Sequence, residues 1–336
     1  MRLKTAIRQF VEWKHFCGRS FVSGEQALMM FFKSVGNIEL DDISRRHSLK
    51  FMHGTHRRRE TYQRKFQLLS QFFRHWLHRG QLKQVSLPSP KATRRLSSLP
   101  YVYDRSQIRL LLRAIDRNQQ SYNCVIDGNT FRAFILFLYG TGSHVGEALK
   151  LRRRDVDFSN NVISFQRTAN ASQRTIPIAN HVRKILREYC KSMPESSRNS
   201  EAFFVDKLGR PLNPTTIGKM FQKLRRRAGV RRNDNFDVKP RLHDLRHTFA
   251  VHSLSAWLRQ GKDLRVLLPA LSAYLGQSKL NASEKYLRIL PERFRPQLSA
   301  LLGSTHPNKG VTHKLIFPKS VASSLSLFVW QGVKTK

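Results

Sequence analysis

The sequence predicts a mostly α-helical protein of two modules with one small antiparallel β-sheet, and three observations predict it. Apolar residues recur at helical spacing along most of the chain. The stretch VISFQRTANASQRTIPI, from Val162, alternates instead around a turn-like middle, Ala169-Asn170-Ala171-Ser172, as a hairpin or a short three-stranded sheet does. Between Leu87 and Pro100 a Pro-, Ser- and Lys/Arg-rich run has no helical period and divides the chain. With 336 residues, 40% of them apolar, there is material for two domains and proper cores, which argues against disorder.

In the first module, residues 1–86, four short helices are expected. Leu3, Ile7, Phe10 and Val11 stripe the first, over 3–17. Ser23 with Gln26 has the form of a capping box opening a second through Ala27, Met30 and Phe31, and Gly36 closes it. LDDISRRHSLKFM reads as a third, capped by Asp42 or Ser44. The fourth, over 61–80, carries Phe66, Leu69, Phe73, Trp76 and Leu77 and ends at Gly80.

After a linker at 87–102, the second module, residues 103–303, opens with the stripe Ile108, Leu111, Leu112 and Ile115. A buried helical turn at Phe134–Leu138 is broken by Gly140 and Gly142, and a further helix runs from Val145 to Leu151. Beyond the hairpin come a helix over 181–193, a short strand at Phe203–Asp206 with a turn and a capped helix, and a helix following Arg241. Two last helices are broken at Gly276; the second is capped by Asn281 or Ser283, with Tyr286 one turn in. The tail, 304–336, has no acidic side chain, and Pro318 and Lys319 interrupt its apolar stretch. It reads either as an arm that docks on a neighbouring subunit or as an accidental extension.

Charge narrows the partner. There are 61 Lys and Arg against 22 Asp and Glu, a formal net charge of +39 and a pI near 11.3. Repulsion on this scale strains a compact state unless a polyanion screens it, so double-stranded DNA is the expected partner. A basic helical module joined by a basic linker to a larger module suggests two halves closing on DNA as a clamp. No stretch approaches the roughly 18–20 apolar residues of a membrane-spanning helix, and the N-terminus has no apolar signal-peptide centre. A cytoplasmic protein is expected. Cys17, Cys124 and Cys190 lie far apart without a C-x-x-C, which fits a reducing compartment and offers no zinc framework. His53 and His56 beside Arg57–Arg59 read as a solvated basic face rather than a metal site.

One pair has chemistry in view. In RLHDLRHTFAVHSL, His243 and Arg246 are three apart and share a face if the run opens a helix. The pair suits a phosphate: the guanidinium offers a planar fork to two oxygens, and the imidazole exchanges a proton near neutral pH. Alone, H-x-x-R is a weak signal in a chain this rich in both residues.

The flanking motifs strengthen it. Gly142-x-x-Val145-x-Glu147, then the hairpin, then His243-x-x-Arg246, then Leu275-Gly276-x with a tyrosine nine positions after that x, resembles the tyrosine recombinases, also called phage-type integrases. The resemblance covers most of the chain, and the wording from Arg241 to Tyr286 is most similar to recombinases borne on bacterial mobile elements. It implies a four-helix, SAM-like core-binding domain at 1–86 and a catalytic domain at 103–303. It implies a tyrosine that attacks a DNA phosphodiester to give a 3′-phosphotyrosyl bond, with no metal or cofactor and without ATP. It also implies assembly on DNA as a homo- or hetero-oligomeric tetramer, with partner recombinases in some relatives. Carried over by position, Tyr286 is the nucleophile, Arg246 clamps the phosphate, His243 assists proton transfer, and Glu147 orients the first basic group.

Three positions depart from the pattern. His144 stands where the first catalytic arginine belongs. If Glu147 keeps it protonated it supplies one charge without a fork, at a cost of about 3 kcal/mol for one missing donor. Ala169, or Arg167 after a shift of two, stands where the general-acid lysine belongs, and an arginine is a poor proton donor. Gln277 replaces a His or Trp and keeps a hydrogen-bond donor. Two readings follow: a recombinase with an altered catalytic set (Tyr286, Arg246, His243, His144, Gln277, Glu147, Arg167), or a catalytically weak or inactive relative acting as a DNA-binding accessory protein. A DNA-binding regulator unrelated to recombinases would require Tyr286 to lie far from Arg246.

Overall fold

A computed structural model of the chain describes residues 1–18, 21–53, 59–88, 100–116, 125–166, 173–193, 197, 200–232, 239–277, 286–287, 289–290 and 294. The chain divides into two compact units, Met1–Leu96 and Ser97–Lys336. The architecture is mostly helical with one three-stranded antiparallel sheet, as expected.

The first unit is built from α1 (Leu3–Phe16), α2 (Val22–Val35), α3 (Arg45–His53) and α4 (Arg59–His78). Leu3, Ile7 and Phe10 of α1 share a core with Leu28 and Phe31 of α2 and with Leu69, Phe72, Phe73 and Trp76 of α4. Several details differ from expectation. No capping box opens α2: it starts at Val22 with Phe21 at the N-cap and no side-chain bond there. Its inward residue is Phe31, while Met30 is 59% exposed. The third expected helix is split into a 3-10 turn, Leu40–Asp42, and α3. Ser44, one of the two caps expected, precedes α3, its Oγ accepting from the His47 amide at 3.4 Å. On α4, Phe72 is buried in the core, while Leu77 is 37% exposed.

The second unit contains α5 (Arg105–Asp116), α6 (Gly128–Thr141), α7 (Val145–Lys150), β1 (Val156–Asp157), β2 (Val162–Phe165), β3 (Arg174–Pro177), α8 (Asn180–Lys191), α9 (Pro214–Arg227), α10 (Asp244–Arg259) and α11 (Leu264–Tyr274). The strands lie in the order β1-β2-β3, with Val156 opposite Ile163 and Ile163 opposite Ile176. That register turns Ile163, Phe165 and Ile176 into the core. The helices α6 and α10 are buried on nearly every side and form the centre of the unit; α6 is accordingly apolar almost all round, whereas α10 also buries Asp244, Arg246, His247 and Thr248.

Polar side chains fix where helices begin. Asp127 accepts from the Asn129 amide at the start of α6 and Asp263 from the Arg265 amide at the start of α11. Asn213 accepts from the Thr215 and Thr216 amides ahead of α9, whose first residue is Pro214. Gly140 does not break α6; the helix runs through it and ends at Gly142. In place of a strand at Phe203–Asp206 there is one isolated bridge, Val205 with Pro211, preceded by another from Ala202 to Arg152. The linker residues 89–99, the hairpin turn with Arg167 and Ala169, Cys124, Asn281 with Ser283, and the tail from Ser304 lie outside the described residues. No described helix is long and apolar enough to cross a membrane.

Candidate active site

The site forms where the ends of α6, α10 and α11 meet. Gly142 caps α6 in the left-handed conformation, φ 60°, and a Cβ there would lie 2.3 Å from Phe249 Cδ1. Only glycine satisfies both conditions. The turn delivers Ser143 and then His144, the N-cap of α7. His144 Nδ1 accepts from the Gly146 amide at 3.1 Å, and the Glu147 carboxylate accepts from the His144 amide at 2.7 Å. The pair is a reciprocal capping box.

At the start of α10, His243 occupies the N-cap position and Arg246 lies in the first turn. Arg246 is 6% exposed. One of its terminal nitrogens donates to the Gly142 carbonyl at 3.0 Å and the other to the Leu275 carbonyl at 2.6 Å. The fork is therefore fixed by backbone from two other helix ends, and its charge acts on the Tyr286 hydroxyl. Burial pulls the guanidinium below its ordinary pKa, opposed by Tyr286 and Glu147. α10 is itself braced by the segment ahead of α5: the Tyr103 amide donates to Thr248 Oγ1 at 3.0 Å, and the Tyr103 hydroxyl to the Arg241 carbonyl at 3.0 Å.

Tyr286 is fully buried, yet its hydroxyl is not in apolar packing. Besides Arg246, it meets His247 Nδ1 at 3.2 Å and Gln277 Nε2 at 3.3 Å. Burial raises its pKa, against the pull of Arg246 and Gln277. The expected convergence of phenol and guanidinium is present, but the imidazole on the phenol belongs to His247 rather than His243. His243 stands between two other imidazoles, with ring centroids 4.7 Å from His144 and 5.0 Å from His247.

Glu147 does not hold His144 as a cation. Its carboxylate is taken by a guanidinium that sequence reasoning missed, Arg174 of β3, in a two-pronged ion pair with side chains 1% and 8% exposed. Burial alone would raise the Glu147 carboxyl, but Arg174 and the His144 amide together hold it below its usual range. Burial foremost, with the charge of Arg246, lowers His144. With Nδ1 accepting from a backbone amide, the neutral ring carries its hydrogen on Nε2. His144 is thus a single neutral donor, not a substitute charge.

Arg174 also donates from Nε to the Tyr274 carbonyl at 2.7 Å and lies over the Phe165 ring at 4.7 Å. A Cβ at Gly276 would sit 2.7 Å from one of its terminal nitrogens, so the glycine leaves room for the guanidinium. Of the residues singled out from sequence, Tyr286, Arg246, Gln277, Glu147, His144 and His243 come together; Arg167 lies outside the described residues. His247 had a signal, four positions after His243 on the same helical face. Arg174 had none, since its partners are distant in sequence. Among the described residues, no group of three or more His, Cys, Asp or Glu side chains is placed to hold a metal.

Comparison with known proteins gives a consistent result. The model of the Phage integrase family matches residues 102–292. A putative integrase/recombinase of Sinorhizobium fredii, y4rB, is 31% identical over 206 residues, which is 60% of this chain and 65% of that protein, a little under two thirds of its length. A second from the same organism, y4rE, is 26% identical over 288 residues, covering 84% of this chain and 90% of its own. Among solved structures, the Tn1549 transposon integrase in complex with transposon right end DNA superposes with a TM-score of 0.64 at 14% identity, covering 90% of this chain and 100% of that one. A lambda integrase tetramer bound to a Holliday junction gives 0.61 at 14% identity, covering 93% and 81%. At these identities the structural likeness is one of fold.

Proposed function

Because the chain belongs to the phage integrase family, the site-specific tyrosine recombinases, we propose that it breaks and rejoins DNA through a covalent bond between Tyr286 and a 3′ phosphate. The Tyr286 oxygen attacks phosphorus, the bond to the 5′ oxygen breaks, and the phosphotyrosyl ester conserves the energy needed for rejoining. Arg246, held by the Gly142 and Leu275 carbonyls, meets the non-bridging oxygens with a donor pair that needs no reorganisation as charge develops. His144 adds a neutral donor beside it, with the His243 ring next to it, and Gln277 positions the phenol. The observation that carries this reading is the Tyr286 hydroxyl lying against Arg246, His247 and Gln277.

The basic unit at 1–86 and the net charge of +39 supply the sequence-blind grip on phosphates. The lambda integrase assembles as a tetramer on a Holliday junction, and oligomeric assembly on double-stranded DNA is the corresponding proposal for this chain. One observation favours a second reading, a weak or inactive relative acting as a DNA-binding accessory. Of the two guanidinium groups that act on His144, which stands in the first-arginine place, Arg174 is committed to Glu147 and Arg246 is already the clamp itself.

A nicked suicide DNA carrying the cognate site separates the two. A covalent protein–DNA adduct that disappears in Tyr286→Phe supports the enzyme, whereas intact binding with no adduct supports the accessory role.

A further inference from the structure

We propose that His247 is the base that takes the proton of the Tyr286 hydroxyl, through Nδ1; this rests on the reading of Tyr286 as nucleophile. A phenol has one hydrogen to give and lone pairs to receive. Among the groups described around the Tyr286 oxygen, Gln277 presents its amide NH2, and the Arg246 guanidinium, whose charge acts on the oxygen, can only donate. His247 Nδ1, at 3.2 Å, is the one of these that accepts when the ring hydrogen is on Nε2. In that tautomer, which the proposal assigns to His247, the phenolic proton points at Nδ1. Two donors draw electron density from the oxygen on one side while an acceptor holds its hydrogen on the other, the arrangement an activated nucleophile needs.

His247 is suited to that place. It is 6% exposed, one helical turn beyond the N-cap, and the His243 ring stands edge-on to it at 86°. Burial also raises the Tyr286 pKa, so the phenol is protonated at neutral pH and an acceptor for its hydrogen has a task to perform.

The step balances. The O–H bond of Tyr286 breaks and its proton joins Nδ1, giving an imidazolium. The oxygen's electron pair forms the new bond to phosphorus. The bond from phosphorus to the 5′ oxygen breaks, and that oxygen keeps the electron pair and gains a proton from water. Release of the imidazolium proton to water closes the cycle, and rejoining runs the same steps backwards.

Asparagine separates a base from a prop, because its side-chain oxygen can stand where Nδ1 stands and accept the same hydrogen bond but cannot take the proton. Single-turnover adduct formation would be followed on the suicide DNA and on a version with sulfur at the 5′-bridging position, whose leaving thiolate needs no proton. His247→Asn is expected to bind DNA as before and to slow adduct formation by about 100-fold or more on both substrates. His247→Ala is expected to be equally slow and to regain rate with added imidazole. A His247→Asn rate within threefold of the unaltered protein overturns the proposal, as does rescue of that variant by the sulfur substrate, which would move the role to the leaving group. If the unaltered protein forms no adduct on either DNA, the reading of Tyr286 fails first and this one with it. Should the variants not fold, nitrogen-15 NMR of the unaltered protein decides: a bare Nδ1 on His247, identified by its shift in Tyr286→Phe, is expected, and an Nδ1–H tautomer overturns it.

Discussion

Arg174 on β3 and Glu147 on α7 clasp each other in a buried two-pronged ion pair, and through it the sheet is fastened to the site. The same carboxylate caps the His144 amide and the same guanidinium holds the Tyr274 carbonyl, next to the carbonyl that fixes Arg246. Sheet, α7 and the end of α11 are thereby locked around the phosphate clamp. Breaking a buried pair strands a charge, whereas replacing both partners does not.

Glu147→Gln is accordingly expected to cost about 3–5 kcal/mol of folding stability. The double variant Glu147→Gln with Arg174→Met should recover most of that loss. Urea denaturation measures both; a single variant that loses less than about 1 kcal/mol would mean the pair is solvent-screened.

Arg246→Lys keeps the charge but loses the fork that reaches the Gly142 and Leu275 carbonyls. Adduct formation should fall by about 100- to 1,000-fold. DNA affinity should hardly change, because most of the binding charge lies elsewhere. A matched loss of affinity and rate would instead make Arg246 a general DNA contact.

His144→Arg restores a charged donor where a neutral ring stands, and should raise adduct yield by about tenfold or more, further with Ala169→Lys. The variant gives up the Nδ1 cap on Gly146, so a stability loss of about 1 kcal/mol is expected alongside. If the double change leaves the yield at background, these substitutions do not limit the site.

Stability should also depend on mild acid. Burial, with Arg105 and Arg259, pulls His252 from 6.5 to about 4, and its Nδ1 lies 3.1 Å from the Tyr139 hydroxyl. The unfolded chain takes up the proton first, so stability is full above pH 6.5 and is lost as pH falls towards 4. By pH 5 this one group should cost about 2 kcal/mol. His144, His75 and His181 are lowered too, so His252→Gln should flatten only part of the slope between pH 7 and 5. An equal slope in the variant would remove His252 from the explanation.

Much of this was legible in the sequence, for physical reasons. Core stripes such as Ile108, Leu111, Leu112 and Ile115 follow helical period because one helix face must be dry, and all four are buried. The spacing from His243 and Arg246 on to Tyr286 encoded a meeting of two chain segments, though not which imidazole would touch the phenol. Capping at Ser23 misled because the Ser–Gln pattern also occurs inside a helix: α2 starts at Val22, so Ser23 is its second residue and Phe21 its N-cap. The charge state of His144 could not be read locally. It rests first on burial and then on the charge of Arg246, while the Glu147 carboxylate that would favour an imidazolium is shared with Arg174, brought to it by strand pairing.

The central claim is that Tyr286 becomes joined to DNA, and peptide mass spectrometry of the trapped complex tests it most directly. After nuclease and trypsin digestion, the fragment Tyr286–Arg288 should carry the mass of a 3′-linked nucleotide. Recovery of that fragment unmodified from a complex whose nucleotide sits on another residue, or from a reaction that yields no covalent complex at all, would contradict it.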